Sequence, residues 1–395
     1  MWQRLFSQLG IDTCGTIKRV VTDSREVKQG DAFIALNSGW KYIDEALLAG
    51  ASIVISSKPH EHDSVYVVHD TTRFLGQLAR LYREALPATV IGITGSVGKT
   101  SLTQLLSQSL LLHGKVTATE GNQNNEIGSA LTILSATLDT KYLVVEMGVA
   151  KPGDMQTLME IVRPDISVVT KIGPSHLEKL HNRQGVWKEK SQILSGSIGI
   201  VNADCAWCMR SENVMTFGYH RDADICITNI QHAYDTQLVS RRYAIAAGLA
   251  VFKVLGLDAN FSNISWPSAR LETLQHTSGA SIINDCYNAN LISYIEAIQY
   301  ASGFSHRLLV LGEMGGLGEE AGHYHQLLGH VLNRFHIDHV FLVGALHQST
   351  LTTYLGEAEY MSDVSVLKSR LSQILRPEMT VLLKGSRHLK MEAVL

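Results

Sequence analysis

Residues Gly92-Ile93-Thr94-Gly95-Ser96-Val97-Gly98-Lys99-Thr100-Ser101 set glycines, one lysine and a run of hydroxyls at a spacing suited to holding phosphate. The apolar run Ala88-Thr89-Val90-Ile91 precedes them, and leucines at 102, 105, 106 and 110 follow at helical spacing. A strand, a glycine-rich loop and a helix in that order aim backbone N–H groups and a positive helix end at phosphate oxygens. Lys99 is then the cation for the β and γ phosphates, and the Thr100 hydroxyl is a ligand for Mg²⁺. Gly95, Ser96, Gly98 and Ser101 complete the cradle. The loop departs from the strict G-x-x-x-x-G-K-[ST] pattern, because Ile93 stands where the outer glycine belongs. A chance glycine turn is the competing reading. The flanking strand and helix speak against it.

Other residues gain meaning from where they fall. Tyr142-Leu143-Val144-Val145-Glu146 is a buried-type strand ending in a carboxylate. Ligands of open α/β sheets sit at the carboxyl ends of strands, so Glu146 is placed to hold Mg²⁺. The bland alternative is an exposed strand-end glutamate. Ile166–Thr170 repeats the pattern and is followed by His176, either a second metal ligand or a helix cap. The segment Gly121–Gly128 offers Asn124 and Asn125 to a substrate, although by itself it reads equally as a polar loop. The stretch Gln184–Leu194 carries Lys188 and Lys190, which face either a phosphate or water. Farther on, Tyr287, Asn288 and Asn290 follow the strand Ile282–Asn284 and could stack on and hydrogen-bond a purine. Lys384-Gly385-Ser386-Arg387 follows another strand and offers two cations and backbone N–H groups to an anion.

The elements that must position these residues alternate along the chain. Residues 1–86 form a first unit with strands at 32–36 and 53–55 and helices at 42–49 and 71–85. Leu86-Pro87 marks a boundary. Residues 87–266 alternate strands (89–93, 142–146, 166–170, 198–201) with helices (99–112, 153–162, 184–194, 241–255), which predicts a parallel sheet. Trp266-Pro267 marks a second boundary. Residues 267–395 predict a smaller doubly wound unit, with strands at 280–284, 307–311, 339–343 and 380–383 and helices at 292–301, 320–334 and 362–375.

Length and composition fit this reading. The 395 residues suffice for two or three domains, and 45% hydrophobic with 18% charged residues is globular. A net charge of −3 gives no general attraction to nucleic acid or anionic membrane. The first residues lack the apolar core of a secretion signal, and no apolar stretch reaches membrane-spanning length. Five cysteines without framework spacing suit a reducing cytoplasm. Cys205-Ala-Trp-Cys208 is a lone pair with no second ligand pair, so plain thiols are expected.

Taken in order, these strings resemble the Mur ligase family, most of all its D-alanyl-D-alanine-adding branch, over most of the chain. Val21-Thr22-Asp23-Ser24-Arg25 with Gly30–Leu36 is similar to the family's uridine-nucleotide domain, which makes Ser24 and Arg25 substrate residues. Thr94–Ser101 is similar to its phosphate loop, Gly121–Gly128 to its G-N-x-N-N-E-I-G, and Asp285–Asn290 to its D-S-Y-N-A-N-P. Leu311–Leu317 with His325 is similar to its G-D-M-x-E-L-G and distant histidine, and Lys384–Arg387 to its K-G-S-R. The resemblance implies a three-domain α/β fold: a first domain, a central phosphate-loop domain with a parallel sheet, and a smaller Rossmann-like last domain. It implies ATP and Mg²⁺ as cofactors and an amide ligation through an acyl phosphate. In peptidoglycan precursor synthesis the amine would be D-alanyl-D-alanine and the acid a UDP-muramoyl tripeptide. It implies Lys99, Glu146, His176 and Lys190 in catalysis. Thr100, Glu146, His176 and a carbamylated Lys190 would hold metal. Arg270, Tyr287, Asn288, Asn290 and His325 would serve the nucleotide. Asn124, Asn125, Lys384, Ser386 and Arg387 would serve the substrates. It further implies a cytoplasmic monomer with small-molecule substrates, and neither nucleic acid nor membrane insertion.

Several strings depart from the family's. Ser191-Gln192 replaces Gly-Glu after the lysine, Glu313 and Gly316 replace Asp and Glu, and Leu291 replaces proline. Leu238–Tyr243 stands where H-N-x-x-N is usual, and the loop Asn37–Tyr42 is short. These departures fall mainly in segments that read substrate. They leave open a ligase joining a different acid and amine, or a nucleotide-binding homologue without catalysis.

Overall fold

The computed structural model describes every residue except 14, 208–212, 231–235, 237 and 338. Cys208 therefore lies outside the described residues. Its expected neighbour Cys205 is half-buried, and burial raises its thiol pKa. No helix among the described residues is long and apolar enough to cross a membrane.

The chain forms two compact units. The first comprises Met1–Gly92, Leu110–Gly148 and Asp154–Ile166. Strands β1 (Val20–Val21), β2 (Ala32–Ile34), β3 (Ile53–Ser56) and β4 (Val65–Val67) make a four-stranded parallel sheet in that order. Val21, Phe33 and Val54 bury against Ile43 and Ala46 of the helix Ile43–Leu48. The helix Thr71–Ala85 begins where Asp70 accepts the N–H groups of Thr72 and Arg73, satisfying two of its orphan donors. Phe74, Leu75, Leu78, Ala79 and Tyr82 recur at helical spacing and are buried. That face packs on the helices Glu126–Ser135 and Asp154–Val162. The Tyr82 hydroxyl donates to the Ala136 carbonyl at 2.6 Å, so its polar tip is satisfied in the interior.

A seven-stranded sheet carries the phosphate loop. Its strands are β5 (Thr89–Thr94), β6 (Val116–Ala118), β7 (Tyr142–Glu146), β8 (Ile166–Val169), β9 (Ile198–Asn202), β10 (Val214–Gly218) and β11 (Ile225–Cys226), ordered β11-β10-β9-β8-β5-β7-β6. The strand order reverses at β5, the place where doubly wound sheets bind ligands. β5 is buried from Val90 onward, and β7 along its whole length, as a sheet covered on both faces requires.

The second unit comprises Ile93–Ser109, Val149–Gly153 and Ser167–Leu395. The helix Val239–Leu255 packs on the helix Lys99–Ser109 and on β10. Gly248 permits that approach, since a Cβ there would lie 2.7 Å from Leu105 and 2.9 Å from Phe261. Gly256 ends the helix in the left-handed region, φ 66°. A six-stranded sheet completes the unit. Its strands are β12 (Glu272–Gln275), β13 (Ser281–Asp285), β14 (Arg307–Gly312), β15 (His339–Val343), β16 (Glu357–Met361) and β17 (Thr380–Lys384), ordered β12-β13-β17-β14-β15-β16. Only β12 runs antiparallel, at the edge. Two expected helices are shorter than the periodicity suggests. The helix expected at 99–112 ends at Ser109 and the one expected at 184–194 ends at Lys190, each continuing as a tighter 3₁₀ turn.

Candidate active site

The phosphate loop is built by backbone geometry that only glycine tolerates. Gly95 has φ 147° and Gly98 φ 92°. A Cβ on Gly95 would collide with the Thr170 hydroxyl. Thr170 itself staples the loop, donating to the carbonyls of Thr94 at 3.0 Å and Val97 at 2.8 Å. The Lys171 carbonyl accepts from the Ser96 N–H at 2.8 Å, and Ser96 Oγ bonds the Gly173 carbonyl at 3.0 Å. The loop is thus pinned from the strand end Thr170–Lys171, and the helix Lys99–Ser109 starts at its lysine. Lys99 Nζ reaches back to the Gly95 carbonyl at 3.1 Å.

The expected metal ligands fall in both units. In the first, Glu146 is only 2% exposed at the end of β7. Asn124 Nδ2 donates to its carboxylate at 2.8 Å, and Thr119 Oγ1 accepts its backbone N–H at 2.9 Å. In the second, Thr100 Oγ1 accepts from Arg270 Nη2 at 2.9 Å. His176 is exposed in the left-handed region, φ 54°, ahead of the turn Leu177–Leu180. Lys190 ends the helix Arg183–Lys190 and is 1% exposed. Among the described residues no three His, Cys, Asp or Glu side chains converge. Oxygen donors contributed singly suit Mg²⁺, which prefers one or two protein ligands completed by water and phosphate oxygens.

Arg270 is oriented from two sides. Its guanidinium lies 4.2 Å from the Tyr287 ring centroid while it donates to Thr100. Tyr287 is thereby engaged by a cation. Asn288 Oδ1 accepts the Ala289 N–H, and Asn290 caps the helix Leu291–Ala301 in a capping box with Ser293.

Four of the expected site residues are engaged within the fold. His325 was expected beside the nucleotide. It is fully buried, with Nε2 accepting from the Met314 N–H at 3.1 Å and Nδ1 donating to the Ala321 carbonyl at 2.7 Å. Both ring nitrogens serve the fold, and burial lowers its pKa. Lys384 was expected to meet an anionic substrate. It is 1% exposed, paired with Asp285 at 2.6 Å and donating to the Asn288 carbonyl at 3.1 Å. An interior cation so matched organises the nucleotide-side loop, because unpaired it would cost too much to bury. Ser386 is likewise interior, accepting from the Gly315 N–H at 2.8 Å. Asn125 is the N-cap of the helix Glu126–Ser135, accepting from the Gly128 N–H at 2.9 Å.

Of the remaining substrate candidates, Arg25 and Arg387 are exposed, while Ser24 and Asn124 are half-buried. Arg387 pairs with Glu392 at 2.5 Å. Arg25 forks onto Asp23 at 2.5 to 3.2 Å on the turn Ser24–Glu26, and that hydrogen bonding holds the Asp23 carboxyl down to about 2.

One feature escapes a linear reading. A cavity of about 290 Å³ opens beside Val97 and Gly98, lined by Lys171, Tyr243, Ile292 and Glu296 among others. Lys171 Nζ sits 5.0 Å over the Tyr243 ring, and the Tyr243 hydroxyl donates to Asp204 at 2.7 Å. Burial raises the Tyr243 and Glu296 pKa values and lowers that of Lys171. The lining comes from five distant segments. Only the strand-end position of Thr170–Lys171 hinted at it.

Phosphate loop, parallel sheet and Rossmann-like last sheet define an ATP-using α/β enzyme. The middle domain of Mur ligases matches residues 93–264, and the glutamate ligase domain of Mur ligases matches residues 269–387. The chain belongs to the Mur ligase family. It is 32% identical over 369 residues to the UDP-N-acetylmuramoyl-tripeptide–D-alanyl-D-alanine ligase of Bacillus subtilis, covering 84% of this chain and 80% of that protein. It is 30% identical over 421 residues to the Escherichia coli ligase of the same name, covering 96% and 93%. The MurF ligase of Thermotoga maritima in complex with ADP superposes with a TM-score of 0.82 at 26% identity, over 95% of this chain and 96% of that one.

Proposed function

We propose that this chain joins D-alanyl-D-alanine to UDP-N-acetylmuramoyl-tripeptide in peptidoglycan precursor synthesis, using ATP. The observation that carries the reading is a phosphate loop built on Gly95 and Gly98 and pinned by Thr170, in a chain that matches ligases of that name over nearly its full length.

The chemistry has two displacements. A substrate carboxylate oxygen attacks the γ phosphorus, and ADP leaves. The amine nitrogen then attacks the acyl carbon, and phosphate departs with the electron pair of the broken C–O bond. The first step concentrates negative charge on equatorial oxygens, so catalysis is mainly positioning and charge stabilisation. Lys99 and the N–H groups around Gly95, Ser96 and Gly98 supply fixed positive charge, with Ser101 at the helix start. Arg270 reaches toward the phosphates from its stack on Tyr287. Mg²⁺, where bound, offsets phosphate charge. Thr100, Glu146 and His176 would hold it, with Lys190 joining them if carbamylated, since carbamate supplies the oxygen donors that an amine lacks. The nucleotide base takes the cavity beside Gly98, and Tyr287, Asn288 and Asn290, with His325, serve the nucleotide. Ser24 and Arg25 face the uridine nucleotide, and Asn124 and Arg387 face the growing peptide. Three functional domains, 1–86, 87–266 and 267–395, follow from this assignment. The protein works as a cytoplasmic monomer on small molecules, without nucleic acid or membrane insertion.

Phosphate release by the purified protein tests the reading. Mg²⁺, ATP, the tripeptide nucleotide and D-alanyl-D-alanine together should give sustained release. Lys99→Ala should lower it by about 10²–10³-fold, the usual cost of one charge-stabilising donor. Release only with another acid and amine would favour a second reading, a ligase of different substrates. Glu313 and Gly316 in the loop after β14 motivate that alternative.

A further inference from the structure

A carboxylate and an imidazole meet at the carboxyl ends of β14 and β17, and none of the roles above uses them. Glu313 Oε1 lies 3.3 Å from His388 Nε2. Its other oxygen, Oε2, accepts the Leu346 N–H at 3.2 Å, which fixes the carboxylate from the loop after β15. Glu313 is mostly enclosed, and the His388 side chain is 54% exposed.

The ring rests on backbone. A Cβ at Gly315 would meet His388 Cε1 at 3.3 Å and Nδ1 at 3.4 Å. The next residue, Gly316, has φ 72° and borders His176, whose N would lie 3.8 Å from a Cβ there. The Gly316 carbonyl also accepts the Leu177 N–H at 2.8 Å. His388 thus packs beside Gly315 and His176 beside Gly316, consecutive residues of the loop after β14. With Nε2–H committed to Glu313, Nδ1 is left as the basic nitrogen, and it has no partner among the described residues. The other charged groups nearby are already matched, Arg387 with Glu392 and Lys384 with Asp285.

We propose that His388, held by Glu313, removes the proton from the incoming amine; the proposal rests on the ligase reading above. An α-amine arrives largely as ammonium at neutral pH, without a lone pair to attack. His388 Nδ1 takes one proton, and Glu313 stabilises the resulting imidazolium. The freed lone pair forms the C–N bond, the C–O bond to phosphate breaks, and the second nitrogen proton leaves with the phosphate. His388 is thus a catalytic residue of the second step, and Glu313 is its positioning residue.

Hydroxylamine separates the two steps. It is largely uncharged at neutral pH, needs no base, and traps an acyl phosphate as hydroxamate. With ATP, Mg²⁺ and the tripeptide nucleotide, His388→Ala should form hydroxamate within about twofold of wild type. With D-alanyl-D-alanine it should lose about 10²-fold in peptide formation, the lower range for general-base removal. Added imidazole should restore part of the peptide rate and leave the hydroxamate rate unchanged. Glu313→Gln should show a smaller loss of the same kind. Peptide formation by His388→Ala at the wild-type rate would overturn the proposal. So would equal loss of both products, because His388 would then support acylation or the fold. If the wild type itself gave neither product, the ligase reading would fail, an outcome distinct from the other two.

Discussion

At the scale of single residues, the interior of the last sheet holds histidines whose protonation is disfavoured by burial. His347 is fully buried, with Nδ1 bonded to Thr350 Oγ1 at 3.0 Å and its ring edge-on to His325 at 5.1 Å. Burial, with His325 beside it, lowers the His347 pKa from 6.5 to about 3. In the unfolded chain the same ring takes a proton near pH 6.5. Between pH 6.5 and about 3 the unfolded state binds the extra proton, so stability is complete above 6.5 and is lost as the pH falls. The slope from this one group is about 1.4 kcal/mol per pH unit. The unfolding midpoint in urea should therefore drop steadily below pH 6.5, and His347→Gln should flatten the decline. An equally steep decline in the variant would show that other groups carry it. The motif histidine, His325, belongs to this same interior pair. Its position in a string suggests a place beside nucleotide, and a string does not reveal that both nitrogens bond Met314 and Ala321.

At the scale of elements, caps and strand ends decide where functional loops sit. Asn290 receives the Ser293 N–H at 3.0 Å and so fixes where the loop Tyr287–Ala289 enters the helix Leu291–Ala301. Asn290→Ala should destabilise the protein by about 1 kcal/mol, the usual cost of an N-cap. It should also raise the KM for ATP more than it lowers kcat. Thermal unfolding and steady-state kinetics check both, and an unchanged KM would detach the cap from nucleotide binding. Much of the element pattern is legible in the chain. β7 and β15 are apolar runs bounded by polar ends, and the structure keeps their expected limits, Tyr142–Glu146 and His339–Val343. β12 and β16 escape notice because edge strands can be polar, and Glu-Thr-Leu-Gln and Glu-Ala-Glu-Tyr-Met carry no apolar run. The helix Glu126–Ser135 is hidden by its amide-rich approach. Asn125 three residues before Gly128 was its start signal, and it reads equally as a turn. Asn124 shows the same limit at the site. Its spacing suggests a substrate ligand but does not reveal that its amide also steadies Glu146 from 22 residues away. Contacts between distant segments, such as the cavity lining, leave no local trace in spacing.

At the scale of the whole molecule, binding should report as stability. A non-hydrolysable ATP analogue with Mg²⁺ at one hundred times its Kd should stabilise the fold by about 2.7 kcal/mol, read as a rise in thermal midpoint. Lys99→Ala should show little of that rise at the same concentrations. An equal rise in both proteins would place the nucleotide away from the glycine loop. The six-stranded sheet sets a second molecular condition. Its central strand β17 delivers Lys384 into the interior and His388 to the rim within five residues, so one strand end serves cohesion and, on the proposal above, chemistry.

The hydrogen bond from Arg270 to Thr100 bears on the order in which the enzyme loads. The guanidinium donates to the hydroxyl proposed above for the divalent ion. A cation arriving alone meets a positive neighbour and an acceptor already in use. A triphosphate draws the guanidinium toward its own oxygens and releases that hydroxyl. If Thr100 serves Mg²⁺ as proposed, metal and nucleotide should therefore enter as one complex, and free Mg²⁺ should bind weakly on its own.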